Sequence, residues 1–139
     1  MRLWSYQLVP YLPRQQLISQ WCECCCIARI IKVNGTPNHI LVNKILEYPD
    51  DEFNTYAVLV ASEMKWRGYK CDLEKFFKYR DNCERTYILR IFEGWHNKSY
   101  MKQCMSNLME KYECGGISGA EWNVLLDGYE NYTGEAFEI

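Results

Sequence analysis

Apolar side chains recur at helical spacing over residues 10–29, with polar side chains between them. The spacing i, i+4, i+8 and i+11 predicts one amphipathic helix with a buried stripe formed by Leu17, Trp21, Cys25 and Ala28. A different face of that helix carries the polar residues Gln16, Ser19, Gln20 and Glu23. Prolines suit the first turn of a helix, where a missing amide hydrogen costs little, so Pro10 and Pro13 mark its start. Glu23 is a lone carboxylate in a run of cysteines, and the pattern does not require its burial.

Further stretches with apolar residues at helical spacing carry their own start and stop signals. An acidic run at residues 50–52 suits the positive end of a helix dipole, and Gly68 is the expected left-handed cap of that second long helix. Asn97 begins a third long helix. Ser118 and Glu121 form the capping box of the last one.

The remaining segments connect these helices. Residues 1–9 read as an extended entry segment, residues 32–39 as a loop and residues 72–79 as a short helix. The pattern leaves two short pieces open: residues 39–43 fit a helix or a strand, and residues 86–92 fit a strand or a buried helix turn. The sequence thus predicts an all-α fold, a single compact domain over residues 1–139 with about four main helices and long connecting loops.

Composition narrows the class of protein. Apolar residues make up 48% of the 139 residues, which argues against a disordered chain. No apolar run approaches the roughly 20 residues of a membrane span, and the first residues lack the features of a secretion signal, so we expect a cytoplasmic protein without membrane contact. The eight cysteines are then expected to be reduced and mostly packed as small apolar residues.

The net charge of −2 conceals an uneven distribution. Residues 1–46 contain five Lys and Arg side chains against Glu23 alone, whereas residues 110–139 contain seven acidic side chains against Lys111. This asymmetry allows the first part of the chain to face an anion. Solvated faces with an incidental asymmetry explain it equally well.

The cysteine run also raises the question of metal binding. Cys22 and Cys25 form a C-x-x-C pair, and Cys22 and Cys26 lie one helical turn apart. A structural zinc site needs four ligands, and neither His39 nor His96 has a partner at ligand spacing. We therefore expect no metal and no cofactor.

The start of the chain offers a nucleophile. A free α-amine has a pKa of about 7.7–8.0, so a useful fraction is unprotonated at neutral pH. The amine of Met1 would form a Schiff base at a sugar carbon if a carboxylate such as that of Glu23 assisted it.

Specific sequence features resemble the pyrimidine-dimer DNA glycosylases of the phage endonuclease V type, in particular small bacterial and phage proteins that begin with MRLW. These features are MRLW at residues 1–4, the LVP-x-LPRQQL run, the E-C pair at Glu23, His39-Ile40, residues 63–69 (E-M-K-W-R-G-Y), Tyr100-Met101 through Asn107-Leu108, and residues 132–137 (Y-T-G-E-A-F).

The resemblance implies an endonuclease V-like fold and specific roles. Met1 would supply the nucleophilic amine and Glu23 the acid/base in a glycosylase and lyase that acts on damaged or modified nucleotides. The resemblance gives Arg2 and Gln16 a role in binding DNA or a nucleotide-like ligand, and we predict the same role for Trp4, Gln20, Arg29, His39 and Tyr132.

Several positions depart from that family. Met1 replaces a small N-terminal threonine. Cys22 and Cys26 occupy positions at which the family has arginines that bind phosphate. Glu135 occupies a lysine-like position. Two alternatives therefore stay open: a catalytically lapsed relative that binds a nucleotide or small phosphate ligand as a phage-type sponge or inhibitor, and a protein-interaction module, as a homodimer or with another protein.

Overall fold

The computed structural model describes residues 2–35, 38–80 and 88–138, and every regular element in those ranges is a helix. A 3-10 helix at Tyr6–Tyr11 is followed by α1 (Arg14–Asn34), α2 (Ile40–Leu46), α3 (Asp50–Trp66), α4 (Glu74–Phe77), α5 (Lys98–Glu113) and α6 (Gly119–Thr133). The all-α prediction is confirmed. Among the described residues, no helix is both long and apolar enough to cross a bilayer.

The chain forms two compact units. The first comprises the described residues within Met1–Arg2 and Ile18–Phe92, and the second those within Leu3–Leu17 and Glu93–Ile139. The expectation of a single domain stays a prediction.

The predicted helix over residues 10–29 is wrong at its start. Leu12 adopts an extended conformation (φ −64°, ψ 140°), and the α-helix begins only at Arg14. Pro13 explains the break, because a proline disfavours helical backbone at the preceding residue. The extended assignment is also wrong for the end of residues 1–9, since the 3-10 helix begins at Tyr6.

The buried face of α1 is wider than the predicted stripe. Cys25 is only half-buried and Gln20 is buried, which corrects the assignment of both residues. The buried positions are Leu17, Gln20, Trp21, Cys24, Ile27 and Ala28. Their i, i+3, i+4, i+7 spacing is that of a helix packed on a core, with a polar Gln20 inside it.

The predicted caps of α3, α5 and α6 are confirmed, but α1 continues past the predicted end at Arg29 to Asn34. The acidic first turn of α3 is present at residues 50–52, and Gly68 follows the end of α3 with φ +84°. The side chain of Asn97 accepts a hydrogen bond from the Tyr100 N–H, and Ser118 and Glu121 form the capping box of α6. The sequence predicts these caps correctly because each capping hydrogen bond forms within a single helical turn.

The two open segments resolve differently. Residues 40–43 belong to α2, so the helical alternative is correct. Residues 86 and 87 lie outside the described residues, and residues 88–92 form neither a strand nor a helix. The Ile88 N–H donates to Thr55 Oγ1 at 3.3 Å and the Phe92 N–H donates to Glu52 Oε1 at 2.7 Å. Side chains of α3 therefore take the place of a neighbouring strand.

Aromatic packing forms the core of the first unit. Phe76 of α4 contacts Phe53 of α3 edge to face, with ring centroids 5.3 Å apart, and its centroid lies 6.2 Å from that of Trp21 on α1. Phe53 and Phe76 are fully buried. This packing holds α1, α3 and α4 together and fixes the face that α1 presents.

In the second unit, the first residues are held by buried polar contacts. The Tyr6 N–H donates to His96 Nδ1 at 3.1 Å, and the two rings stack. Gln7 Nε2 donates to the His96 carbonyl at 2.9 Å, and the Tyr100 hydroxyl donates to the Leu3 carbonyl. His96 is 4% exposed, and this burial lowers its pKa from 6.5 to about 3.

A glycine permits close helix packing in the same unit. Helix α6 packs against the 3-10 helix, and a Cβ placed on Gly128 would lie 2.3 Å from Cγ of Tyr11. The Tyr11 ring thus occupies the space that a side chain at position 128 would need.

We predict that His96 makes the second unit sensitive to acid. The unfolded chain takes up a proton near pH 6.5, whereas folded His96 stays neutral down to about pH 3, so the free energy of unfolding falls as the pH decreases through that window. At pH 5 the loss is about 2 kcal/mol. Urea unfolding at pH 7 and pH 5 should show a smaller difference for His96→Gln than for the unchanged protein. His39→Gln is the control, and an unchanged difference in His96→Gln would contradict the prediction.

We predict that Gly128→Ala destabilises the protein by about 1–3 kcal/mol, because the methyl group collides with the Tyr11 ring. Gly119→Ala in the same helix is the matched control, since its Cβ meets no heavy atom within 4 Å. Thermal and urea unfolding measure both variants. Equal stability of the two variants would contradict the proposed close packing.

Candidate active site

Glu23 lies in a hydrogen-bond network within the first unit. The Arg2 N–H donates to Glu23 Oε2 at 3.3 Å. The Gln20 side-chain amide donates to the same carboxylate oxygen at 3.3 Å and to the Arg2 carbonyl at 3.0 Å. The carboxylate is half-buried, so it meets both protein donors and solvent.

Helices α1 and α3 position this network. Gln20 and Glu23 are three residues apart on α1 and therefore neighbours on its surface. From α3, the Tyr56 hydroxyl donates to Gln20 Oε1 at 3.1 Å. Gln20 is 1% exposed and Tyr56 is fully buried.

The sequence gives no direct indication that Tyr56 belongs to this site, because it fits the apolar stripe of α3. One general signal was available: a buried tyrosine hydroxyl needs a hydrogen-bond partner. The pattern could not identify Gln20 as that partner, since the two residues are 36 positions apart.

Met1 lies outside the described residues, so the expected contact between its amine and Glu23 stays a prediction. Its neighbour Arg2 is described, and both the N–H and the carbonyl of Arg2 are held in the network. The structure therefore locates the backbone that follows directly after Met1.

The other predicted binding residues have varied surroundings. In the first unit, Arg29 is exposed on α1, and His39 Nδ1 accepts a 3.4 Å hydrogen bond from the Val42 N–H as the cap of α2. In the second unit, Trp4 is only 8% exposed and Gln16 is half-buried. Tyr132 is 56% exposed.

The cysteines of α1 fall into two groups. Cys22 and Cys26 are exposed free thiols, whereas Cys24 is a buried free thiol. Burial raises the pKa of Cys24 well above its usual value. Burial, helped by Cys22 and Cys71, also raises the pKa of Cys25 to about 11, while Lys75 and Lys78 act in the opposite direction. The ammonium groups of these two lysines therefore lie near the cysteine face of α1.

Metal binding finds no support in the described part of the chain. Among those residues, no group of three or more His, Cys, Asp or Glu side chains could hold a metal ion. Cys83 lies outside the described ranges.

Comparison with known proteins adds one match. A family model described as "Pyrimidine dimer DNA glycosylase" matches residues 1–77. No curated protein and no solved structure matches the chain. The matched region contains α1, Glu23 and the residues that bond to it.

We predict that the cysteines react in the order of their exposure. Alkylation by iodoacetamide should modify Cys22 and Cys26 first, and Cys24 only after unfolding, because the thiolate is the nucleophile and burial suppresses it. Labelling of Cys25 should still rise about tenfold per pH unit between pH 8 and pH 10, since its pKa is about 11. Peptide mass spectrometry measures each site. Modification of Cys24 at the rate of Cys22 would contradict the prediction.

Proposed function

The chain belongs to the pyrimidine dimer DNA glycosylase family, and we propose on this basis that it is a DNA glycosylase and lyase for damaged or modified nucleotides. In this proposal the N-terminal α-amine of Met1 is the nucleophile and Glu23 is the acid/base. Arg2 contributes positive charge for the phosphate backbone.

The observation that carries the proposal is the hydrogen bond from the Arg2 N–H to Glu23 Oε2 at 3.3 Å. Three covalent bonds separate the α-amino nitrogen of an N-terminal Met1 from the Arg2 nitrogen. Docking of Arg2 on the carboxylate therefore supports an amine that works beside Glu23. The half-buried carboxylate is also partly open to solvent.

The proposed chemistry needs both groups. The amine lone pair attacks C1′ of the damaged nucleotide, and the C1′–N bond breaks as the base leaves with its electron pair and takes up a proton. The attached nitrogen gives one of its two protons to the Glu23 carboxylate, and Glu23 passes this proton to O4′ as the C1′–O4′ bond opens to a protonated imine. Loss of a C2′ proton finally expels the 3′ phosphate by β-elimination.

The few positive charges near Glu23 support a moderate affinity for DNA. Cys22 and Cys26 are exposed beside Glu23 and bring no guanidinium charge to the positions where the resemblance expects arginines. The positive charges of Lys75 on α4 and of Lys78 just after it act to lower the pKa of Cys25 on α1, so they supply positive charge near that helix. Each phosphate contact contributes to the salt dependence of binding, so we expect fewer such contacts than in relatives with both arginines.

We predict that borohydride traps a covalent adduct between the protein and duplex DNA containing an abasic site or a pyrimidine dimer, since hydride reduces the imine carbon. Glu23→Gln should slow trapping by about 100-fold or more, as expected for loss of an acid/base. Acetylation of the α-amine should abolish the adduct. Gel mobility and mass spectrometry of the N-terminal peptide measure the product.

Glu47→Gln, which removes an exposed carboxylate elsewhere in the first unit, is the matched control and should trap normally. The absence of an adduct with the unchanged protein would reject the proposal. Normal trapping by Glu23→Gln or by acetylated protein would reject the assigned roles.

The exposed thiols at Cys22 and Cys26 favour a second candidate function. With the phosphate-binding arginines replaced, a lapsed relative would keep the Glu23 network and bind a nucleotide without turnover. A rise in melting temperature with nucleotides, together with no borohydride adduct, would select this function.

A further inference from the structure

We infer that Gln20 and Tyr56 are positioning residues that hold Glu23 and the start of the chain in reactive geometry, and that Gln20 does not contact the substrate. The inference rests on the proposed function of Glu23. It reassigns Gln20, which was predicted from the sequence to bind DNA or a nucleotide-like ligand.

Burial excludes direct substrate contact. Gln20 is 1% exposed and Tyr56 is fully buried, so a substrate in solvent does not reach either side chain. Both ends of the Gln20 amide are engaged within the protein, with the Tyr56 hydroxyl on Oε1 and two acceptors on Nε2. Gln20 has no donor left to offer a ligand.

The partners of Gln20 fix the orientation of its amide. A glutamine side chain offers one carbonyl oxygen and two N–H donors. In the observed orientation, Oε1 accepts from the Tyr56 hydroxyl, and the two N–H groups face the Arg2 carbonyl and Glu23 Oε2. A flipped amide would point its oxygen at both of these acceptors, and the repulsion would break two hydrogen bonds.

This orientation controls two separate parts of the site. Through Nε2, Gln20 restrains the carboxylate of Glu23 and the carbonyl of Arg2 together. The Arg2 N–H closes the arrangement by donating to the same carboxylate oxygen. One buried amide thus sets the distance between the acid/base and the backbone that bears the proposed nucleophile. Productive catalysis requires such groups within about 0.5 Å of the right geometry.

The positioning role predicts a loss of rate with little loss of DNA affinity. The test measures borohydride trapping on saturating duplex DNA with one abasic site, and the Kd for that duplex. Gln20→Met should slow trapping by about 100-fold, the effect expected of a misplaced reactive group. Tyr56→Phe should slow it by about tenfold, as for one lost hydrogen bond. The Kd should change less than about twofold in either variant, because neither side chain meets DNA.

A double variant tests whether Tyr56 acts through Gln20. If it does, Gln20→Met/Tyr56→Phe is no slower than Gln20→Met, because both changes break the same chain of contacts. Multiplication of the two single effects would overturn this part of the inference. Thr55→Val is the matched control: it removes a neighbouring buried hydroxyl of α3 that accepts from the Ile88 N–H, so trapping should be normal.

A readout without chemistry separates this inference from the proposed function. In protein labelled with 15N-arginine, the solvent-exchange rate of the Arg2 amide proton should rise in Gln20→Met and Tyr56→Phe but not in Thr55→Val. If the unchanged protein forms no adduct, the proposed function fails, and this exchange rate alone decides the positioning role. An unchanged exchange rate, a trapping rate equal to that of the unchanged protein, or a Kd that weakens in step with the rate would overturn the inference.

Discussion

A buried carboxamide connects three segments of the first unit. Gln20 bonds to Tyr56 of α3, to Glu23 one turn further along α1, and to the backbone of Arg2. Leaving any of these polar groups buried without a partner costs free energy, so the three segments adopt one common arrangement. The aromatic contacts of Trp21 and Phe53 with Phe76 add hydrophobic burial between α1, α3 and α4. The network fixes how these three segments align with one another, which apolar packing alone does not.

The second unit uses a similar device. Gln7, which is also buried, accepts from the Ser5 hydroxyl and donates to the His96 carbonyl, while His96 accepts from the Tyr6 N–H. In both units, then, a glutamine amide holds residues from the beginning of the chain. An amide suits this task because it donates and accepts at once.

The proposed chemistry depends on few charges. Glu23 is held by an N–H of the backbone and by a neutral amide, and the neighbouring exposed positions are thiols. A site of this kind relies on the position of the amine and the carboxylate more than on a strong field. The family match covers the region that contains Glu23, and its positions 22 and 26 carry thiols instead of the arginines implied by the resemblance.

Local sequence patterns correctly predict the helical class and most helix ends, because caps, turn glycines and apolar spacing act over a few residues. They misplace the start of α1, where the effect of Pro13 on Leu12 outweighed helical spacing. The sequence also places Gln20 on a polar helix face and gives no direct indication that Tyr56 belongs to the site. The contact between these two side chains is visible only in the tertiary structure. A hydrogen bond between residues 36 positions apart produces no periodic pattern in the sequence.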